Sequence, residues 1–94
     1  MDQKTELMKF WKENFDFQEI ELNAFKEVDR EEFIPNNLRN AAYQDMPLPL
    51  LRGKTISQPT TVMIMTHALE LQRGEKVFEI GTGSGYQAAI IAKI

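Results

Sequence analysis

Residues 77–86 read VFEIGTGSGY, and this stretch decides the fold class of the chain. The mostly apolar run 76–80 that leads into the glycines predicts a short buried strand, and the apolar segment 86–94 predicts a helix. Glycine at three alternate positions permits a tight turn and removes the Cβ atoms that would keep a ligand or a helix backbone away. A strand, a glycine-rich turn and a helix in this order indicate the start of an α/β fold with parallel strands.

Three further helices are predicted upstream from the 3.6-residue spacing of apolar side chains. They span about residues 2–15, 17–28 and 59–73. Asp16 precedes Glu19 by three positions, which predicts a capping box at the start of the second helix. The third helix would begin at a proline, a residue that suits the first helical position.

The segment 29–53 has a different character. Its three prolines, with asparagines and a glycine, break any long helix. The run from Met46 to Leu51 is expected to be extended, because a residue before proline is pushed out of the α region. An irregular apolar segment of this length either packs as a covering loop or lines a binding surface.

Composition bounds the classes of function. Ninety-four residues make at most one small domain, and a net charge of -3 with scattered basic residues argues against a nucleic-acid interface. The absence of cysteine excludes disulfides and cysteine-ligated zinc. The polar, acidic start and the lack of about 18 consecutive apolar residues predict neither a standard signal peptide nor a membrane span. These features favour a soluble cytoplasmic protein.

The glycine spacing distinguishes between ligands. A dinucleotide fingerprint requires G-x-G-x-x-G with a small third residue, but Tyr86 occupies that position here. The pattern E-x-G-x-G-x-G instead resembles motif I of the Rossmann-like methyltransferases. The resemblance implies that Glu79 holds the amino-acid end of S-adenosylmethionine and that the glycine backbone cradles its methionine part and ribose. Glycine-rich turns without this cofactor also occur in many α/β proteins.

Further motifs upstream occur in a fixed order. They are VDREEFIP at 28–35, AYQD at 42–45, LPL at 48–50, GKTISQP at 53–59, LEL at 69–71, and Gly74. With the glycine turn, they resemble the protein-L-isoaspartate (D-aspartate) O-methyltransferases over roughly residues 20–94. The resemblance implies a division into a helical region with a Pro-rich covering loop, residues 1–53, and the start of a cofactor-binding α/β domain, residues 54–94.

The resemblance also implies a reaction. A methyl group passes from S-adenosyl-L-methionine to the free α-carboxylate of an L-isoaspartyl residue in a damaged protein, and the ester then collapses to a succinimide that can reopen as aspartate. Isoaspartyl-containing proteins or peptides are thus the expected partners, with no nucleic acid and no membrane. A carboxyl group with a reference pKa of about 4 is already ionised at neutral pH, so no strong base is needed.

Site residues follow from the matched motifs. Ser57 falls on the family's catalytic serine, although a plain helix cap before Pro59 is an alternative interpretation. His67, the only histidine, has no partner at metal-ligand spacing and is expected to be structural or exposed, and the Glu31–Glu32 pair is expected to be solvated. No metal site is predicted. The residues expected to bind the cofactor are Thr55, Ile56, Glu79, Gly81, Thr82, Gly83, Ser84 and Gly85.

The family's later strands have no counterpart in this sequence. A lone strand exposes unpaired backbone groups, so we expect either self-association or a missing carboxy-terminal portion to complete the sheet. We also expect the isolated chain to bind cofactor weakly or not at all. Two other functions stay open, a different Rossmann-like methyltransferase, against which the segment Thr55–Pro59 argues, and a non-catalytic interaction module.

Overall fold

The computed structural model describes residues 2–94. It contains four α-helices, a two-stranded antiparallel sheet and three short 3-10 turns. Their bounds are α1 Gln3–Asn14, α2 Glu19–Glu27, β1 Leu48–Pro49, β2 Thr55–Ile56, α3 Pro59–Ala68 and α4 Tyr86–Lys93, with the 3-10 turns at Arg30–Phe33, Asn36–Ala41 and Leu51–Gly53. All four predicted helices are therefore present, although the third ends at Ala68 rather than at the predicted residue 73. No helix in the described part of the chain is long and apolar enough to cross a bilayer.

The starts of the first two helices depend on acidic side chains. Asp2 caps α1, and its Oδ1 accepts the Thr5 backbone N–H at 2.7 Å, which lowers the pKa of the Asp2 carboxyl. The capping box predicted at Asp16 is wrong. Helix α2 instead begins after Gln18, whose backbone N–H donates to Glu21 Oε1 at 2.9 Å. The same three-residue spacing recurs two positions later, so the pattern alone was ambiguous.

Aromatic side chains from the amino-terminal helices form the centre of the core. Trp11 and Phe25 are buried, and their rings meet edge to face with centroids 4.6 Å apart. Residues from α3 and α4 complete the same cluster, notably Met63 and Ile90, which are fully buried. The apolar faces predicted from sequence spacing therefore pack on one another around Trp11.

The Pro-rich segment folds back as a hairpin. Strand β1 pairs antiparallel with β2, with Leu48 opposite Ile56, and both side chains are buried. The turn between them uses left-handed backbone at Arg52 (φ 62°) and Gly53 (φ 72°). Leu48 thus packs onto the core, whereas Leu51 is 81% exposed. The hairpin delivers the residues that follow β2 to a defined position.

The predicted strand at 76–80 is absent. No residue in that range is assigned to a strand, and Phe78 and Ile80 are each 86% exposed. Backbone groups of a strand require a neighbouring strand, and the sheet in the described residues 2–94 contains only β1 and β2. Residues 76–80 therefore have the sequence pattern of a strand, but the described part of the chain provides no neighbouring strand with which they pair.

A hydrogen-bond chain that runs from the buried Trp11 through the buried Thr60 to the exposed Asp45 joins three distant segments. Trp11 Nε1 donates to Thr60 Oγ1 at 2.8 Å, and Thr60 Oγ1 donates to Asp45 Oδ2 at 2.6 Å. Asp45 Oδ1 also accepts the Thr60 backbone N–H at 3.0 Å, so a remote carboxylate caps the start of α3. The chain links α1, the loop before β1, and α3.

Replacing Thr60 by valine removes the central hydroxyl and leaves the Trp11 indole N–H without its acceptor in the core. We expect a loss of about 1–3 kcal/mol in the free energy of unfolding. Urea denaturation followed by the fluorescence of Trp11, the only tryptophan, measures it. Thr61→Val, at an exposed neighbouring position, is the control and should change stability by less than about 0.5 kcal/mol. Equal losses in the two variants would contradict a structural role for the chain.

Candidate functional site

Most of the predicted site residues surround one cavity between the end of the hairpin and the glycine turn. Its volume is about 120 Å³. Val62, Tyr86 and Gln87 contribute to its wall, and so do eight of the nine predicted site residues, which are Thr55, Ile56, Ser57, Glu79, Gly81, Thr82, Gly83 and Ser84. The ninth, Gly85, is the N-cap residue of α4. Segments more than twenty positions apart in the sequence are thus brought together at this cavity.

The glycine turn has a backbone that only glycine adopts easily. Gly81, Gly83 and Gly85 have φ angles of 73°, 59° and 83°, in the left-handed region. The turn is closed by the Gly85 backbone N–H, which donates to the Thr82 carbonyl at 3.0 Å. A Cβ added at Gly81 would meet no atom within 4 Å, and one at Gly83 would meet only the Gly81 carbonyl oxygen at 4.0 Å. The protein itself therefore leaves the space beside these glycines open.

Glu79 brings an acceptor to the same cavity. The residue is half-buried, and its Oε1 atom is buried without a hydrogen-bond partner in the described part of the chain. Buried carboxylate oxygens are normally satisfied by donors. This oxygen is therefore suited to a ligand that carries a donor, such as an ammonium group.

Ser57 does not act as the cap of α3. The N-cap residue is Gln58, and the cap acceptor is the Asp45 carboxylate described above. Ser57 is exposed, and within residues 2–94 its hydroxyl takes part in no hydrogen bond, while its carbonyl accepts Arg30 Nη2 at 2.9 Å. The alternative interpretation of Ser57 as a helix cap is wrong, and its hydroxyl is free at the cavity wall.

A second, larger cleft adjoins the cavity through Gly83 and Ser84. Its volume is about 480 Å³, and its wall is mainly apolar, with one basic and one acidic residue. The remaining lining residues are Glu32, Phe33, Ile34, Pro35, Leu50, Leu51 and Lys54. The glycine turn therefore separates a small polar cavity from a wider apolar cleft.

Comparison with known proteins decides the family. The family model described as protein-L-isoaspartate (D-aspartate) O-methyltransferase matches residues 2–94. The chain belongs to this methyltransferase family. Proteins named protein-L-isoaspartate O-methyltransferase from Ruegeria pomeroyi, Methanoculleus marisnigri and Ignicoccus hospitalis are 56%, 51% and 54% identical to it over 73, 73 and 71 residues.

These alignments cover most of this chain but a minor part of each relative. They include 78%, 78% and 76% of the chain, and 34%, 33% and 34% of the three relatives in the same order. The chain thus spans about a third of the length of the curated relatives it matches. The helices and small sheet described above are consistent with an amino-terminal part of an α/β methyltransferase.

Sequence spacing did not identify Arg30, which contacts the Ser57 carbonyl and the Tyr86 ring beside this cavity. The side chain is fully buried, and its Cζ lies 5.1 Å from the centroid of the Tyr86 ring. Burial lowers the pKa of Arg30, an effect that nearby Tyr86 partly opposes, and burial raises the pKa of Tyr86. Arg30 stands in a charged run with two glutamates, which usually indicates a solvated face. The only sequence feature that could have indicated a role for Arg30 is the motif VDREEFIP at 28–35, which forms part of the family resemblance.

The other charged candidates have structural surroundings. His67 is partly exposed, as predicted, and its Nδ1 lies 2.8 Å from Oε1 of the buried Glu21, which ties α3 to α2. Glu32 is exposed, but Glu31 is half-buried and its Oε2 has no hydrogen-bond partner in the described chain. Within residues 2–94, no group of three or more His, Cys, Asp or Glu side chains is arranged to hold a metal ion.

The two interpretations of Ser57 differ in their effect on stability. Because Asp45 rather than Ser57 caps α3, we expect Ser57→Ala to change the free energy of unfolding by less than about 0.5 kcal/mol. Asp45→Ala removes the cap and should cost about 1 kcal/mol. Urea denaturation of both variants provides the comparison, and a larger loss from Ser57→Ala than from Asp45→Ala would contradict this assignment of the cap.

Proposed function

We propose that this chain is the amino-terminal part of an S-adenosylmethionine-dependent enzyme that methylates the α-carboxylate of L-isoaspartyl residues in damaged proteins. One observation carries the proposal. Eight of the nine residues that the family resemblance assigns to cofactor or acceptor line a single cavity, although they come from two separate segments. The proposed partners are isoaspartyl-containing proteins or peptides, with neither nucleic acid nor membrane involved.

The residues at the cavity fit this cofactor. The left-handed glycine turn leaves an open cradle that a side chain would fill, and Glu79 Oε1 is a buried acceptor suited to the cofactor's ammonium group. Thr55 and Ile56 would border the cofactor across the cavity. When bound, S-adenosylmethionine supplies an electrophilic methyl group as its sulfonium C–S bond breaks and the electron pair returns to sulfur.

We assign to the residues near the acceptor the task of positioning its carboxylate. An acceptor carboxylate with a reference pKa of about 4 is ionised at neutral pH, so its oxygen would be nucleophilic without a general base, and the protein would need only to position it. Ser57 would orient that carboxylate through its hydroxyl, which is free of other hydrogen bonds within the described chain. The apolar cleft with Lys54 on its wall adjoins the glycine turn, and we assign it to the peptide that carries the damaged residue.

This chain supplies only part of the proposed site. Its cavity of about 120 Å³ is smaller than the roughly 300–1,000 Å³ that small-molecule pockets usually have. The exposed run at 76–80 would become a strand of a Rossmann-like parallel sheet when other strands pair with it. Because the matched relatives are about three times as long as the aligned segment, we assign those strands to a carboxy-terminal portion rather than to a second copy.

The remaining sequence-based predictions fit this proposal. Residues 1–53 would form the helical region with its Pro-rich covering loop, and residues 54–94 the start of the cofactor-binding domain. The family's acceptors are damaged proteins, and the lack of cysteine fits a reducing compartment, so we infer a cytoplasmic location.

A methyl-transfer assay tests the proposal directly. The chain is assayed alone and joined to the downstream portion of the Ruegeria pomeroyi relative, with an isoaspartyl peptide and the matched aspartyl peptide as acceptors. We expect the joined protein to transfer radiolabelled methyl groups to the isoaspartyl peptide only, and the chain alone to show little or no transfer.

Ser57→Ala in the joined protein should lower the rate at least tenfold, since the acceptor loses its orienting hydroxyl. Absence of transfer by the unaltered joined protein would refute the proposal. Equal transfer to the aspartyl peptide would instead point to a different methyltransferase. Light scattering of the chain alone reports whether self-association supplies the missing strands, which would overturn their assignment to a carboxy-terminal portion.

The glycine turn offers a second test. Gly83→Ala and Gly74→Ala both introduce a side chain at left-handed backbone, with φ of 59° and 89°, so each should cost about 1 kcal/mol of stability. Only Gly83 lines the cavity. Calorimetric titration of the joined protein with S-adenosylhomocysteine should therefore show at least tenfold weaker binding for Gly83→Ala and unchanged binding for Gly74→Ala. Equal affinities in the two variants would contradict the assignment of the cradle.

A further inference from the structure

Arg30 is an unusual charged residue for the interior of a small domain. Its side chain is fully buried, and in the described chain no carboxylate lies within salt-bridge distance of it. Its Nη1 atom is buried without a hydrogen-bond partner. A buried cation without an ion-pair partner is costly, and a well-packed apolar side chain would avoid that cost. Packing alone therefore does not account for arginine at this position.

The contacts of the guanidinium join three segments. Its Nε donates to the Ala42 carbonyl at 2.6 Å, and its Nη2 donates to the Ser57 carbonyl at 2.9 Å. Its Cζ lies 5.1 Å from the ring centroid of Tyr86, the first residue of α4. One planar group thus contacts the end of the 3-10 turn before the hairpin, the loop after β2, and the helix that follows the glycine turn.

The shape of the arginine side chain suits these contacts. The guanidinium is a rigid plane with donors on several sides and a face that stacks on an aromatic ring. A lysine carries its three donors on one nitrogen and lacks the fork of separate donor atoms by which Arg30 contacts the Ala42 and Ser57 carbonyls. The Phe33 ring also packs edge to face with Tyr86, with ring centroids 5.4 Å apart.

We propose that Arg30 is a positioning residue that couples the Ser57 loop to the glycine turn. By holding the Ser57 carbonyl and the Tyr86 ring on one rigid group, it fixes the distance between the two walls of the cavity. In terms of the proposed function, which this inference deepens, Arg30 sets the acceptor wall relative to the cofactor wall without touching either ligand.

The coupling predicts local rather than global effects of substitution. Arg30→Met keeps an apolar stem of similar length but removes the shared donor plane. We expect amide protons on both walls, at Ile56 on one side and at Gly85 and Tyr86 on the other, to exchange with solvent at least tenfold faster. The amide of Phe15, which donates to the Trp11 carbonyl at the end of α1, should be unaffected.

Nuclear magnetic resonance of the 94-residue chain measures these exchange rates without any ligand, so the experiment can fail independently of the proposed function. Arg39→Met is the matched control, since Arg39 is surface-exposed and lies 3.8 Å from Glu32. Arg30→Lys retains the charge and should give an intermediate acceleration at both walls. It also provides the same comparison if the methionine variant does not fold.

The outcomes separate the alternatives. Faster exchange at both walls with an unchanged α1 supports the coupling. A uniform acceleration throughout the chain would overturn it in favour of a general structural role, and an acceleration at one wall only would show that Arg30 does not couple the two. No change in either Arg30 variant would also overturn the proposal.

Discussion

The buried hydroxyl of Thr60 is the point on which the arrangement of this chain depends. It accepts from the Trp11 indole and donates to the Asp45 carboxylate, while the same carboxylate caps the start of α3. Because each partner comes from a different segment, all three segments must meet for the buried Thr60 hydroxyl to form both of its hydrogen bonds. The start of α3, and hence the loop that carries Ser57, is thereby held against the aromatic centre of the domain.

The elements around Thr60 place the two walls of the cavity. The hairpin leads into the Ser57 loop, α3 follows it, and α4 packs beside α3 so that the glycine turn faces the loop across the cavity. Arg30 contacts both walls of the cavity, one through the Ser57 carbonyl and the other through the Tyr86 ring. The glycines are needed for the backbone shape of the turn and not for protein packing, since almost nothing lies within 4 Å of an added Cβ. Open space beside glycine backbone allows a ligand to approach the chain closely.

A second constraint acts at the opposite side of the glycine turn. Phe78 and Ile80 are almost fully exposed, and the apolar residues before the turn contribute little to the core. Exposed apolar residues in a strand-like pattern indicate a surface that other chain segments normally cover. The family membership and the one-third coverage of the relatives give this surface a simple interpretation, in which further strands complete both the sheet and the site.

Local sequence determined the features whose physical cause is also local. Apolar spacing identified all four helices, the alternate glycines identified a turn that needs positive φ, and the ordered motifs identified the family. The capping box at Asp16 failed because two positions carried the same spacing. The strand at 76–80 failed because a strand exists only with a neighbour.

Tertiary structure alone decided the features that depend on distant partners. That Asp45 caps α3, that Ser57 is left free, and that Arg30 is buried against Tyr86 all involve groups more than ten positions apart. Spacing patterns report neighbours along one helix or strand, whereas these contacts arise from how the elements pack. The sequence by itself therefore identified the glycine turn and its family, and only the packing showed which side chains hold the two walls of the cavity together.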